Sequence, residues 1–381
     1  MNIELHLIQN FAPSNLNRDD TGSPKTCEFG GYRRARISSQ CIKRAIRTEF
    51  QTGDVLPEQN LATRTKRISG EVADRLAKLG RDHEQALKIT ETALAGIKIT
   101  VVDGRSQYLL YLGEDEISNI VGICEEHWDA LTAAAGDGES GKKASKAAVP
   151  ADVQKSLAAA LDGEKASDLA LFGRMLADIP EKNVDAASQV AHAISTHQAA
   201  IEFDFYTAVD DLRPEDTSGA DMLGTIEFNS ACFYRYANIN VPQLRENLGG
   251  DDDLAVATAR AFLSASFEAV PTGKQNSFAA QSRPDFALAV VRDRGLYSMA
   301  NAFVNPVRPS NGNDLIHNSV ASLDRHWASV TGMYGDGAIK AIAAATTYPD
   351  ALNSLSESLV GNVGELIART VDEVAGGMME A

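Results

Sequence analysis

IELHLI (residues 3–8) alternates apolar and polar side chains, and after a turn-rich loop SSQCIKRAIR returns at helical spacing. The second half repeats the order. FNSACFYRYANINV reads as a strand, DLAVATARAFLSASFEAV as an amphipathic helix and DFALAVVRD (285–293) as another strand. Strand and helix alternating in both halves restrict the chain to an α+β class, and the order suits a ferredoxin-like core. At 381 residues the chain exceeds what that core needs. The surplus is expected as a large helical insertion over 57–185 and a smaller excursion over 199–227.

Within this frame Ile3, Leu5 and Leu7 predict a half-buried strand. Residues 57–95 read as polar helices, and ITVVDGRSQYLLYL as a hairpin turning at Asp103 and Gly104. EISNIVGICEEHWDAL is helical, and AAAGDGESGKKASKAAV (133–149) is too poor in bulky apolar residues to be core. QVAHAIST predicts a strand with Val190, His192 and Ile194 on one face. No run of about 18 apolar residues occurs, and the N-terminus lacks a basic, cleavable leader, so a cytoplasmic protein without membrane contact is expected. Cys27, Cys41, Cys124 and Cys232 form no CxxC pair and are expected to be reduced.

The formal charge is −16, which argues against nucleic acid as a partner. Residues 25–47 break that trend with seven Lys or Arg against one acid, Glu28. A helix capped by Ser38 or Ser39 turns Ile42, Ala45 and Ile46 inward and groups Lys43, Arg44 and Arg47 outside. Cations at the positive end of a helix dipole are unfavourable by roughly 0.3–1 kcal/mol each unless an anion joins them. Phosphate there would meet first-turn N–H groups, Gln40, both Ser hydroxyls and Arg33, Arg34 and Arg36. A solvated amphipathic face is the plainer alternative.

Two further stretches carry suitable chemistry. VPTGKQNSFAAQ (270–281) offers Lys274, Gln275 and Asn276 on a turn where Gly273 allows close backbone approach, although an ordinary loop has the same composition. IEFDFYTAVDDL sets Phe203, Phe205 and Tyr206 among acids, which suits either core packing or base stacking. Asp19 and Asp20 in NLNRDD are acids without a third partner, so turn formation competes with metal binding. Walker, GxSxG and HExxH patterns are absent, and neither cofactor nor metal is expected.

Taken in order, NLNRDD, FGGYRRARISSQCIKRAIR, AHAISTHQ, FYTAVDDL, FYRYANIN, LRENLGG, VPTGKQNSFAA and SMANAF resemble the CasC family, the repeated backbone subunits of type I-E CRISPR Cascade. The resemblance implies an RRM-like palm (1–56, 186–198 and 228–381), helical fingers (57–185) and a thumb hairpin (199–227). It implies no catalysis and copies aligned head to tail on one CRISPR RNA, with other Cascade subunits and target DNA as partners. Motif by motif, Arg18, Lys25, Ser38, Gln40, Lys43, Arg44, Arg47, Lys274 and Gln275 would touch the guide, beside the nearby donors Arg33, Arg34, Arg36 and Asn276. Met175, Phe205 and Tyr206 would flank a displaced base, Phe205-Tyr206 standing where the family has Trp-Phe. The rival reading is an RNA-cutting subunit using Asp19 or Asp20.

Overall fold

The computed structural model describes residues 1–53, 55–136, 149–208, 222–310 and 312–379. Most of the low-complexity insertion and residues 209–221 of the expected thumb lie outside that set. The chain forms a mixed α+β structure of two compact units. The first comprises Met1–Val55, Gln189–Asn240 and Ala259–Ala381, the second Leu56–Ser188 and Val241–Thr258.

The elements run β1 (Asn2–Ser14), β2 (Thr26–Phe29), β3 (Tyr32–Ile37) and α1 (Ser39–Thr52). The second unit follows with β4 (Ala62–Thr65), α2 (Ile68–Lys78), α3 (His83–Gly96), β5 (Val101–Val102), β6 (Arg105–Ser106), β7 (Leu110–Gly113), α4 (Glu114–Glu126), α5 (Trp128–Gly136), α6 (Ala151–Ala160) and α7 (Ser167–Phe172). Then come β8 (Ser188–Val190), β9 (Ala193–Ser195), β10 (Glu202–Ala208), β11 (Met222–Asn240), α8 (Val241–Asn247), α9 (Asp252–Glu268) and α10 (Gln275–Phe278). The chain closes with β12 (Phe286–Arg292), α11 (Leu315–Tyr334), β13 (Ile339–Thr346) and α12 (Val363–Met379).

One sheet organises the first unit, in the order β13-β12-β1-β11-β9-β3-β2, with β8 and β10 also paired to β11. β1 is central: Asn2 faces Asn240 of β11 on one side and Arg292 of β12 on the other, both antiparallel. It is therefore buried on both faces over Ile3–Ile8, where alternation had predicted one. Its polar residues survive burial because they are paired. The Glu4 carboxylate meets Arg292 Nε at 2.5 Å and accepts from Tyr236 Oη at 2.9 Å and the Tyr297 N–H at 2.6 Å. His6 Nδ1 lies 2.9 Å from Tyr234 Oη, and complete burial together with Arg292 pushes the imidazole pKa down to about 3. His6 is thus a neutral core residue.

The expected strand QVAHAIST is interrupted. Val190, Ala193 and Ser195 are buried, whereas His192 is exposed and Ile194 half-buried. The break between β8 and β9 resets the alternation, so His192 leaves the face on which periodicity put it.

The second unit buries the apolar stripes of α2, α3 and α4 in its own core, which also takes in Trp128 of α5. Asp103 and Gly104 both have positive φ, the geometry expected of the β5–β6 turn. The core contains a fully desolvated ion pair, Arg174 Nη1 to Glu116 at 2.7 and 2.8 Å. Glu116 also accepts from the Gly113 and Gly163 N–H groups, each at 2.8 Å, while Arg174 donates to carbonyls of Leu161, Tyr111 and Lys182. Burial raises the Glu116 pKa against the lowering effect of Arg174, so desolvation outweighs the attraction. Such a pair fixes geometry more than it adds stability. What it fixes is the segment around Gly173, whose positive φ and 2.9 Å clearance to the Val184 carbonyl exclude a side chain.

Glu116→Leu leaves the Arg174 guanidinium buried without its carboxylate and is expected to cost about 3–5 kcal/mol. Trp128 reports on this unit in a Trp327→Phe background, since the chain has 2 Trp residues. A urea midpoint unchanged from that background would show that the pair is dispensable.

Candidate nucleic-acid interface

α1 begins where β3 delivers it. Ser38 is extended (φ −70°, ψ 149°), and its hydroxyl accepts the Cys41 N–H, as the sequence predicted for a cap. Ile42, Ile46 and Phe50 are buried, Arg44 is exposed and Lys43 and Arg47 are half-buried. The first turn holds no acid to neutralise its dipole. The loop carrying NLNRDD wraps this helix end: Asn17 Oδ1 accepts the Ser38 N–H at 2.8 Å, and its carbonyl accepts the Lys25 N–H at 2.9 Å. The Lys25 carbonyl in turn accepts the Arg36 N–H at 2.9 Å.

Asp19 makes the loop's turn. One carboxylate oxygen accepts from the Thr21 hydroxyl at 2.7 Å, the Thr21 N–H at 2.9 Å and the Ser23 N–H at 3.0 Å. The Thr21 hydroxyl first, then Ser23, hold the acid below the ordinary carboxylate range. Arg18 and Asp20 are exposed beside it. Among the described residues no group of three His, Cys, Asp or Glu side chains is placed to hold a metal ion.

The second basic stretch packs on the same loop. A Cβ on Gly273 would sit 2.3 Å from the Leu16 carbonyl oxygen, so only glycine permits this approach. The Cys41 thiol of α1 reaches that same carbonyl at 3.9 Å. Leu16 therefore joins the helix start to the GKQ turn. Lys274 follows in left-handed conformation (φ 53°), and the Gln275 amide donates to the carbonyls of Pro271 and Ala280, each at 3.0 Å, which folds α10 as a single turn rather than a loop. Lys274 is half-buried and Asn276 exposed. Burial raises the Cys41 thiol pKa while the charges of Lys25 and Arg44 pull it down, so those two cations face the same spot.

Arg33, Gln40 and Arg44 are exposed and Arg36 and Lys25 partly so; alternation along β3 turns Arg33 to the face opposite Arg36. Arg34 corrects the sequence reading. It is fully buried and donates to carbonyls of Phe29, Ser195, Thr196, Phe303 and Val304, leaving no donor face for a phosphate. Ser38 is also largely buried, its hydroxyl oxygen engaged as a cap.

The aromatic hairpin is not core. Every residue of β10 is exposed, with Phe203 68% and Phe205 65% accessible. β10 pairs with β11 so that Phe203 faces Glu227, Phe205 faces Thr225 and Tyr206 faces Gly224. Alternation puts Phe203 and Phe205 on one face and Tyr206 on the other, its ring lying across Gly224, where a Cβ would come within 2.3 Å. Phe203 and Phe205 thus share one face, and Tyr206, less accessible at 38%, lies on the other. In the second unit Met175 is 79% accessible, next to the anchored Arg174.

No curated protein sequence matches the chain significantly. The family model of CT1975-like protein matches residues 3–369. Among solved structures, a chain of a "CRISPR RNA-guided surveillance complex, pre-nicking" is 32% identical with a TM-score of 0.82, covering 98% of this chain and 99% of that one. A chain of a second "CRISPR RNA-guided surveillance complex" is 28% identical with a TM-score of 0.72 at the same coverage. Motifs, family model and fold agree along nearly the whole length: the chain belongs to the CT1975-like family, the CasC family that its motifs resemble.

Proposed function

We propose that the chain is a non-catalytic backbone subunit of a type I-E Cascade, binding guide RNA through the surface formed by α1, the 15–25 loop and the GKQ turn. The observation that carries this reading is the meeting of two sequence-distant basic stretches at Leu16, in a protein of charge −16. First-turn N–H groups of α1 and the flanking cations offer neutral and charged donors to one phosphate run. The strands β1, β9, β11 and β12, with α1 after the first and α9 before the last, stand in the sheet order fourth, first, third, second. That arrangement supports reading residues 1–56, 186–198 and 228–381 as an RRM-like palm, with fingers at 57–185 and a thumb at 199–227.

In this reading copies line up head to tail along one CRISPR RNA, a heterologous contact that does not close on itself. Other Cascade subunits complete the particle in the cytoplasm. Sequence recognition comes from guide pairing with target DNA, and the protein holds backbone geometry. Phe203 and Phe205 on the hairpin would separate one base from its stack at each repeat. Commitment of the Asp19 carboxylate to its own loop supports the non-catalytic assignment over RNA cutting.

The test is the mass of the protein bound to single-stranded RNAs of increasing length, read by size exclusion with light scattering. Copies should rise in proportion to length while the RNA stays intact in magnesium; a fixed stoichiometry would oppose the filament, and cut RNA would oppose the non-catalytic assignment. Lys43→Glu with Arg44→Glu should flatten the log–log salt dependence of binding by about 0.7–1 unit per lost contact. An unchanged slope removes α1 from the interface. In the assembled complex, Phe203→Ala with Phe205→Ala should quench the fluorescence of a 2-aminopurine placed at the displaced base, and Tyr206→Ala should leave it bright. The reverse ranking would reinstate the Phe205–Tyr206 pair.

A further inference from the structure

We infer that His192 is a contact for the guide backbone, donating from Nε2 to a phosphate oxygen beside Arg36 and Lys25 and taking up a proton as that phosphate binds. The inference rests on the RNA-binding reading and adds to it a residue that periodicity grouped with Val190 and Ile194 on one face of a strand.

His192 lies in the break between β8 and β9, where its side chain is exposed. Arg36 Nη1 lies 3.0 Å from His192 Nδ1. A guanidinium can only donate, so Nδ1 carries the lone pair and the proton sits on Nε2, pointing away from Arg36. Arg36 is itself aimed by a bond from Nε to the Thr26 carbonyl at 3.3 Å and by the pairing of its backbone with Ile194 of β9. The donor on Nε2 is therefore preset by the sheet.

The groups facing the imidazole are Arg36 from β3 and Lys25 from the loop before β2. Cys27, on β2 within the field of Arg36, has a thiol pKa raised by burial and stays neutral. No carboxylate among the described residues is paired with His192. Partial burial, then Arg36, then Lys25 lower the His192 pKa from its ordinary 6.5, so the free protein holds it neutral at pH 7. Two cations and a preset donor with no anion describe a site waiting for one.

An arriving phosphate reverses that field and favours imidazolium, which raises the pKa in the complex; the proton is taken up at Nδ1, so the Arg36 Nη1 bond to that nitrogen is released and its N–H turns to the phosphate. A group whose pKa is higher in the complex than in the free protein binds a proton on association. Affinity then climbs as pH falls through the bound-state pKa and levels off below the free-state pKa. The total gain is about tenfold for each unit separating the two.

The experiment is fluorescence anisotropy of a labelled single-stranded RNA against the full chain, from pH 8 to 5.5 at constant ionic strength. Wild type should tighten severalfold as pH falls. His192→Gln, which keeps an N–H donor near Nε2 but does not titrate, should lose the pH response and give a flat curve. His192→Ala should be weaker and flat. A pH response retained by both variants, or a flat wild-type curve with His192→Ala binding equally well, overturns the inference. Lys43→Glu with Arg44→Glu is measured in parallel. Loss there with His192→Ala unaffected overturns His192 alone, whereas no loss in either overturns the RNA-binding surface as well.

Discussion

A guanidinium inside a protein must find acceptors for its five N–H groups or its burial is prohibitive. Arg34 finds carbonyls on three separate segments: Phe29 at the β2–β3 turn, Ser195 and Thr196 at the end of β9, and Phe303 and Val304 in the loop that follows Met299. The rings of Phe29 and Tyr32 lie 5.7 and 5.9 Å from its central carbon. Among the described residues no carboxylate is paired with it, so neutral carbonyls and ring faces hold the charge. Because β3 is held this way, Arg36 pairs with Ile194, Ser38 arrives extended at the head of α1, and the 15–25 loop closes over it. The head of α1 and the loop that closes over it are hung on that tie.

Arg174 follows the same logic in the second unit with a carboxylate as partner. In each case a buried arginine stands next to a residue that is turned outward: Arg33 beside Arg34, and Met175 beside Arg174. Rigid backbone on one side allows an exposed side chain on the other to keep its direction without packing of its own. The glycines serve the same end. Gly273 lets one loop lie directly on another, and Gly30, with a φ of 63°, brings the β2–β3 turn to within 2.3 Å, measured from a notional Cβ, of the Val304 carbonyl.

Much of this was legible in the sequence. The α+β class followed from alternation and helical spacing, and the N-cap at Ser38 and the turn at Asp103-Gly104 followed from local chemistry. What periodicity could not supply was tertiary. β1 gains a second buried face only because β11 and β12 flank it, and the polar Glu4, His6 and Gln9 are tolerated only because residues far along the chain satisfy them. Arg34 reads like its neighbours Arg33 and Arg36, since a run of like charges carries no mark of which member has acceptors waiting. His192 was grouped with Val190 and Ile194 because a two-residue interruption that shifts the phase of a strand leaves no mark in the sequence, and Phe205 was paired with its neighbour Tyr206 although residues adjacent in a strand point apart.

The central position of β1 bears on how the protein is made. Its partners, Ala231–Asn240 and Phe286–Arg292, leave the ribosome long after it does. In the meantime an apolar strand with two open edges must stay unpaired, while residues 56–188 emerge and complete most of the second unit first. Nascent chains arrested before Arg292 would therefore hold one folded unit and one sticky strand, and the pairing of such distant segments makes a slow final step. Synthesis of this chain would draw on whatever shields that strand until the last of the sheet is in place.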